Sequence, residues 1–559
     1  MSSNWREIAA AEASQGATCR FLGSAGSARG CLRRQAGLVT AAATLLFLLA
    51  AGAGQQAQAQ TSTPTFTSVY SFAGGTDGYE PLGSVVEDQA GNIYGTTEYG
   101  GADSDGTIFK ISSSVKSVCY NFTGQNQGDG AYPVGGLLLS GGSLYGTASN
   151  GGSGKGNVFE VPTSCGSDKV LYEFGSNSPD GANPTAGLTV APSGNLYGTT
   201  FHGGNGYGDG TVFAIAPSSD AETYFYEFKG SSGDGAHPHA GLVSDKNGNL
   251  YGTTQNGGLD GLGTVFEIDA TGNETVLYSF TGSPDGASPY GRLVMDSQGN
   301  LYGTTLQGGT STNCNGGCGA VFKISFSNGT PTESLLYSFT GGTTDGEYPV
   351  GGLVMDSAGN LYGTTWYGGS GSQGTVFEIS SSGTETVLHS FSGTDGAYPL
   401  ATLMLDSSNV LWGTTQSGGT DYYGTVFKIA LPMSSVPLSF TSAKLDATAG
   451  PPAGFDLQAY FTAGTGGDPI DVDTYGLTLT VGNYTVTIPS SVFKQVPKGW
   501  WVTETTVNGV SIQARVSQPS TTSYELQFEE TGADITSGPN PATITLSIGN
   551  NTGTTTASF

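Results

Sequence analysis

The chain has 559 residues and a net charge of −27, with 45 acidic side chains against 18 lysines and arginines. So acidic a chain repels phosphate backbones and excludes nucleic acid as the expected partner, while a charged fraction of 11% is too low for a disordered acidic tail. Glycine is the compositional outlier at 92 residues, and it recurs at fixed intervals, which marks turns rather than low complexity.

At the N-terminus, Arg33 and Arg34 precede an apolar run from Leu38 to about Gly54, and Ala57-Gln58-Ala59 offers small residues two apart. Residues 1–59 are therefore expected to be a cleaved signal peptide. A retained membrane anchor is the alternative, but the run is short and alanine-rich. Gln35, Ala36 and Gly37 match a twin-arginine signal poorly, and no lipobox cysteine follows. The mature chain is expected outside the cytoplasm, secreted or at the cell surface, and not membrane-spanning. Removing 1–59 takes away five arginines and two glutamates, which leaves −30.

From residue 60 a single stretch recurs seven times, as in Gly359-Asn360-Leu361-Tyr362-Gly363-Thr364-Thr365. Its aromatic anchors are Tyr94, Tyr145, Tyr197, Tyr251, Tyr302, Tyr362 and Trp412, spaced 50 to 60 residues apart. A period of this length identifies a repeat architecture before any local assignment. Within one unit, Gly352–Asp356 predicts strand a, Leu361–Thr365 strand b, Thr375–Ile379 strand c and Val387–Phe391 strand d. Ser357-Ala358-Gly359-Asn360 predicts the a–b turn. Four short strands per unit is one propeller blade, so residues 60–432 are expected to form a seven-bladed β-propeller. The strand c pairs, such as Val376-Phe377, and the strand d phenylalanines, such as Phe391, are its expected core. One copy of strand d, residues 68–72, precedes the first strand a and is expected to complete blade seven. Val436–Phe440 rivals it, but Pro437 disfavours a paired position.

Of six cysteines, Cys19 and Cys31 fall in the signal segment. Cys314 and Cys318 flank Asn-Gly-Gly in the longest repeat and are expected to form a disulfide across an insertion loop. Two thiols with no nearby histidine do not complete a zinc site. Cys119 and Cys165 are candidates for a second pair between neighbouring repeats.

Residues 433–559 lose the repeat and alternate in short Thr- and Val-rich runs, which predicts a C-terminal immunoglobulin-like β-sandwich. The fold class is thus all-β. Asp468, Asp471 and Asp473 precede a turn and raise calcium binding, although no full oxygen-ligand loop is present and exposed loop carboxylates are the plainer reading. No cofactor is expected.

The seven Leu-Tyr-Gly-Thr-Thr…Gly-Gly…Gly-Thr-Val-Phe units, from about Thr65 to Ala430, resemble the GloVer tandem repeats of exported bacterial proteins. The a–b part, Val-Met-Asp-Ser-x-Gly-Asn-Leu-Tyr, is also similar to NHL propeller repeats. Ala148, Trp412 and Ser143 depart from the pattern. The resemblance implies a bacterial surface or secreted protein and carries over no catalytic residues.

In a propeller the d–a and b–c connections emerge on one face. The d–a loop carries Asp-Gly-x-x-Pro in every unit, and its aspartate is read as a turn former; a ring of carboxylates binding cations is the alternative. Two positions vary inside these fixed frames. The position before the proline holds Glu80, Tyr132, Asn183, His237, Ser288, Tyr348 and Tyr398. The position before Gly-Gly holds Tyr99, Asn150, His202, Asn256, Gln307, Tyr367 and Ser417, and Trp366 precedes one of them. Aromatic, amide and imidazole groups suit sugar rings, which have apolar faces and many hydroxyls. Tolerant polar loops are the bland alternative. The candidate binding residues are therefore Tyr99, Tyr132, His202, His237, Tyr348, Trp366, Tyr367 and Tyr398, and the expected partner is an extracellular glycan or surface protein. A carbohydrate-active hydrolase or lyase is the second reading, with Glu80, Glu98 and Glu347 as its weak catalytic candidates. A structural envelope protein is the third. No Ser/His/Asp spacing, metal-protease motif or nucleotide fingerprint occurs.

Overall fold

The computed structural model describes residues 63–432, apart from 125–127, 152, 176–179, 205–207, 218–220 and 231–232, together with strand segments between 438 and 557. The expected signal segment 1–59 and the aspartates 468, 471 and 473 lie outside the described residues.

Each repeat folds as one antiparallel sheet with strands in the order a-b-c-d, and seven such sheets form a β-propeller. In blade one the strands are Val86–Glu87, Ile93–Thr97, Thr107–Ser112 and Val115–Asn121. Strand a is shorter than the sequence predicts; in blade six it is Val354–Met355. The Gly-Leu that precedes it lines the central channel and pairs with no further strand among the described residues. The first described strand, Thr65–Ser71, pairs antiparallel with strand c of blade seven, Thr425–Ala430. Leu438–Thr448, which includes part of the rival segment, pairs instead with Gly454–Ala463. In the C-terminal region the described strands form a six-stranded and a four-stranded antiparallel sheet.

The repeat motif explains how blades stack. The glycine of Leu-Tyr-Gly-Thr-Thr lies against the strand c phenylalanine of its own blade. A Cβ at Gly252 would stand 2.6 Å from Phe266 Cζ, and one at Gly146 2.4 Å from Phe159 Cζ, so only glycine admits the ring. That ring then meets, edge to face, the strand d phenylalanine of the preceding blade. Phe122–Phe159, Phe228–Phe266 and Phe339–Phe377 all have centroids 5.0 Å apart. Such pairs add about 0.5–1.5 kcal/mol beyond area burial. Phe72, on the strand that completes blade seven, meets Phe109 of blade one in the same way at 5.3 Å.

The first threonine of the motif supplies the polar half of the joint. Its hydroxyl donates to a main-chain carbonyl of the next blade: Thr147 to Ala186, Thr199 to Ala240, Thr304 to Gly351 and Thr364 to Ala401. Thr414 of blade seven donates to Gly83 of blade one at 3.2 Å, which closes the ring with the bond used elsewhere. The motif's aromatic anchor is fastened at the a–b turn. Tyr94, Tyr302 and Tyr362 donate to Asp88, Asp296 and Asp356, and Trp412 makes the equivalent bond to Asp406 through Nε1 at 2.9 Å. The tryptophan is thus a like-for-like donor.

Two disulfides are formed, Cys119–Cys165 between blades one and two and Cys314–Cys318 across the blade-five loop. No helix among the described residues is long and apolar enough to cross a membrane.

The Asp-Gly aspartates sit on the outer side of each blade. Each accepts a main-chain N–H from the end of strand d, as in Thr123→Asp129, Lys229→Asp234 and Thr340→Asp345. Most also accept the strand d tyrosine hydroxyl, as from Tyr120, Tyr278 and Tyr337; His389 takes that role beside Asp395. They are turn formers. In blade one Lys116 lies on the next strand d and pairs with Asp77 at 2.7 Å. In blades four to six Glu274, Glu333 and Glu385 face Asp234, Asp285 and Asp345. Each of these glutamates has a buried Oε1 without a hydrogen-bond partner. Burial first, and the neighbouring aspartate second, push each of them up to about 7.

Two predictions follow from this packing. Thr414→Val should cost about 1–3 kcal/mol in denaturant unfolding, the penalty of a stranded buried carbonyl, and should match Thr304→Val; a silent Thr414→Val would mean an open seam. The raised glutamates favour the fold fully below their unfolded value of about 4.3, and that contribution is lost as pH rises through about 7. His239 and His389 are lowered by burial and act in the opposite sense, so a variant isolates the effect. Glu385→Gln should raise the melting temperature at pH 8 and raise it much less at pH 5.

Candidate functional site

The d–a and b–c loops of one blade pair with each other on one face. Gly181–Ala182 pairs with His202–Gly203, Gly235–Ala236 with Asn256–Gly257, and Gly346–Glu347 with Tyr367–Gly368. The residue before the proline adopts the left-handed conformation in all seven blades, with φ between 53° and 61°. None of the seven is glycine, so each site carries local strain of order 1–2 kcal/mol. Two main-chain bonds hold it there. Its N–H donates to the b–c loop of the preceding blade, as in Glu80→Tyr423, His237→Asp209 and Tyr398→Gln373, and its carbonyl accepts from its own b–c loop, as in Glu98→Glu80 and Trp366→Tyr348. The frame is built by the backbone, and the side chains are left variable.

The structure gathers the candidate residues into three groups along this face. Tyr99 and Tyr132 lie 5.3 Å apart across the blade one–two seam. Tyr79 and Tyr423 extend this row, with Tyr79–Tyr99 at 5.3 Å and Tyr79–Tyr423 at 5.5 Å. In the second group Tyr367 stands between Trp366 at 4.9 Å, Tyr398 at 5.2 Å and Tyr348 at 6.3 Å. In the third, His202 and His237 lie 5.4 Å apart, with Phe201 packed on both. Gln416 connects the first two groups. Its backbone N–H donates to Tyr398 and its side chain donates to Glu80 Oε2 at 3.2 Å.

The acidic candidates separate. Glu80 and Glu98 stand together beside Tyr99. Burial raises Glu98, the charge of Glu80 adds to this, and a hydrogen bond with Tyr99 opposes it. Burial also pushes Tyr99 up to about 12, with Glu98 contributing. Glu347 lies elsewhere, with Oε2 3.0 Å from Cys314 Sγ, and burial raises it. The cluster of Cys314, Cys318 and Glu347 has the spacing of metal ligands, but its sulfurs are bonded to each other and offer no thiolate.

Inside the loop face runs the central channel, a cavity of about 1270 Å³ lined by the strand a segments of all seven blades. Trp366, His239 and Tyr290 line it on the loop side, and Glu87 and Asp406 at the a–b turn side. Sequence reasoning missed Tyr79, Tyr423, His239, Tyr290 and Arg292. Laying the seven units under one another would have shown the last three, because the columns that hold them are aliphatic, small or glycine in most other blades.

A family model described as the Gloeobacter/Verrucomicrobia repeat matches the chain in overlapping tandem, at residues 44–206, 114–315, 193–427 and 283–475. None of the curated proteins matches it. Among solved structures, a PL25 ulvan lyase bound to a GlcA–Rha3S saccharide is 10% identical, with 65% of this chain and 96% of the lyase covered and a TM-score of 0.39. The Trypanosoma rangeli sialidase in complex with sialic acid is also 10% identical, with 88% and 96% covered and a TM-score of 0.34. Likeness at this level says nothing about activity.

The contact between Glu80 and Glu98 has a direct check. In a carboxyl-selective NMR titration the Glu98 midpoint should lie above the ordinary glutamate range and should fall in Glu80→Gln. A midpoint indifferent to Glu80 would separate the two groups.

Proposed function

We propose that this chain, which belongs to the Gloeobacter/Verrucomicrobia repeat family, is an exported binding protein that takes carbohydrate on the loop face of its propeller. The observation that carries the reading is the row Tyr423–Tyr79–Tyr99–Tyr132, which spans three blades at ring spacings of 5.3–5.5 Å. Tyr422 and Tyr423 are 71% and 42% exposed. Folding does not require these aromatics, because other blades hold alanine in the place of Tyr79, asparagine or serine in the places of Tyr99 and Tyr132, and aspartate, lysine or glutamine in the place of Tyr423. Partly exposed rings in a rigid row present flat apolar faces, and Glu80, Glu98 and Gln416 beside them supply hydrogen bonds to hydroxyls. Export is supported by the two disulfides, which persist in oxidising compartments.

A second reading is favoured by one further observation. Glu98, with its raised affinity for a proton, stands beside Glu80 and Tyr99, the kind of pairing a hydrolase or lyase uses for acid–base work. Residues 433–559 are proposed as a separate all-β module.

One experiment addresses both readings. The mature protein is screened against an immobilised polysaccharide panel, and each hit is followed for product release. Tyr99→Ala and Tyr367→Ala should weaken retention about tenfold or more without lowering the melting temperature. A blank panel would remove the binding reading. Product formation lost in Glu98→Gln would establish the second in its place.

A further inference from the structure

We propose that the central channel contains an oxyanion subsite built on Arg292, so that the sugar taken at the loop face carries an acidic group. This rests on the carbohydrate reading above and narrows it to acidic saccharides.

Arg292 lies two residues before strand a of blade five, Val294–Met295. The equivalent positions in blades two, three, four and six are Gly136, Gly187, Gly241 and Gly352, and those in blades one and seven are Ser84 and Thr402. The repeat therefore has no need of a long side chain there. The arginine uses the space those glycines leave. Its side chain passes Gly241, where an added Cβ would stand 3.8 Å from Arg292 Cδ. Nε then donates to the Leu242 carbonyl of blade four at 3.0 Å, and Nη2 to Thr189 Oγ1 of blade three at 3.2 Å.

A guanidinium has five N–H donors. Two are used, and among the described residues the other three meet no acceptor and the group forms no ion pair. The side chain is exposed to the channel, and the protein walls around it lower its affinity for the proton without removing its charge. It faces the channel with no counter-ion among the described residues, in a chain of net charge −27. This leaves the planar fork that binds carboxylate or sulfate bidentately free to do so.

The rest of the channel fits such a guest. Arg292 and His239 are the basic residues of its lining. Burial holds His239 down to about 4, so at neutral pH it is an uncharged ring. It packs against Tyr290, with centroids 3.7 Å apart and planes tilted by 30°, and the two rings form an aromatic wall on the mouth side of Arg292. Glu87 and Asp406, at the opposite end, repel an anion and would stop it at the arginine. Charges farther away than about 8–10 Å are screened at physiological salt, so the acidic exterior does not forbid entry of a single anionic group. The cavity of about 1270 Å³ exceeds the usual volume of a small-molecule pocket and admits a short saccharide end-on.

The test is titration calorimetry of the mature protein with a galacturonic acid disaccharide, with its dimethyl ester, and with a sulfated galactose disaccharide. The ester keeps the rings and removes the charge. The acid should bind at least tenfold more tightly than the ester. That preference should vanish in Arg292→Gln and survive in part in Arg292→Lys, which keeps the charge but not the fork. The sulfated sugar tells whether sulfate or carboxylate is the better guest. Equal binding of acid and ester, or a preference that survives Arg292→Gln, overturns the subsite and leaves the glycan reading standing. Failure of every sugar to bind removes both. Should Arg292→Gln not fold, the comparison of acid with ester on the wild-type protein still decides.

Discussion

The joint between blades is the constraint on which the rest of this structure depends. One threonine hydroxyl reaches a carbonyl of the next blade, and one phenylalanine edge meets the face of another, seven times around the ring. The glycine between tyrosine and threonine is what makes this possible, because any side chain there would occupy the volume of the phenylalanine ring. The hydrogen bond from Thr414 to Gly83 spans 331 residues, and the Phe72–Phe109 contact joins the described N-terminal strand to blade one. Neither bond differs from its six equivalents in kind. The ring is therefore closed by repetition of a single local rule rather than by a special clasp.

A joint satisfied by so few residues leaves the loop face free to vary. The left-handed residue before each proline is held by main-chain bonds on both sides, so its side chain is not consumed in folding. The chain accepts strain of the same kind at seven non-glycine positions, and strain that persists in this way is over-determined by its surroundings. The consequence is a set of equivalent places in which tyrosine, histidine, asparagine, serine and glutamate can be exchanged without disturbing the blade. Aromatic residues concentrate in blades six, seven, one and two, and histidines in blades three and four.

The distribution of charge follows a similar division. The outer aspartates belong to turns, and each is enclosed by strand d donors. Where a glutamate of the next blade faces such an aspartate, burial leaves it with a proton affinity far above that of a surface carboxyl, and where Lys116 stands in the same place the pair is complementary. Within the channel a single arginine, with no ion pair among the described residues, stands at mid-depth and two carboxyls stand at the far end.

The sequence by itself determined the repeat, the strand order within a blade, the phenylalanine core and the positions that vary, because each of these is a local pattern with a fixed period. It also carried the closing strand, in the extra copy of strand d ahead of the first blade, and the disulfide of the Cys314 loop. It could not show which of the variable side chains meet. Tyr99 and Tyr132 are neighbours only because blade two is docked on blade one, and Tyr79 meets Tyr423 only because the ring closes. Arg292 is the sharpest case. Along the chain it is one residue beside a leucine, and its partners at Leu242 and Thr189 lie in two other blades. Only the curvature of the assembled ring brings three strands to one channel wall, since that curvature is a sum over all seven joints and is written in none of them singly.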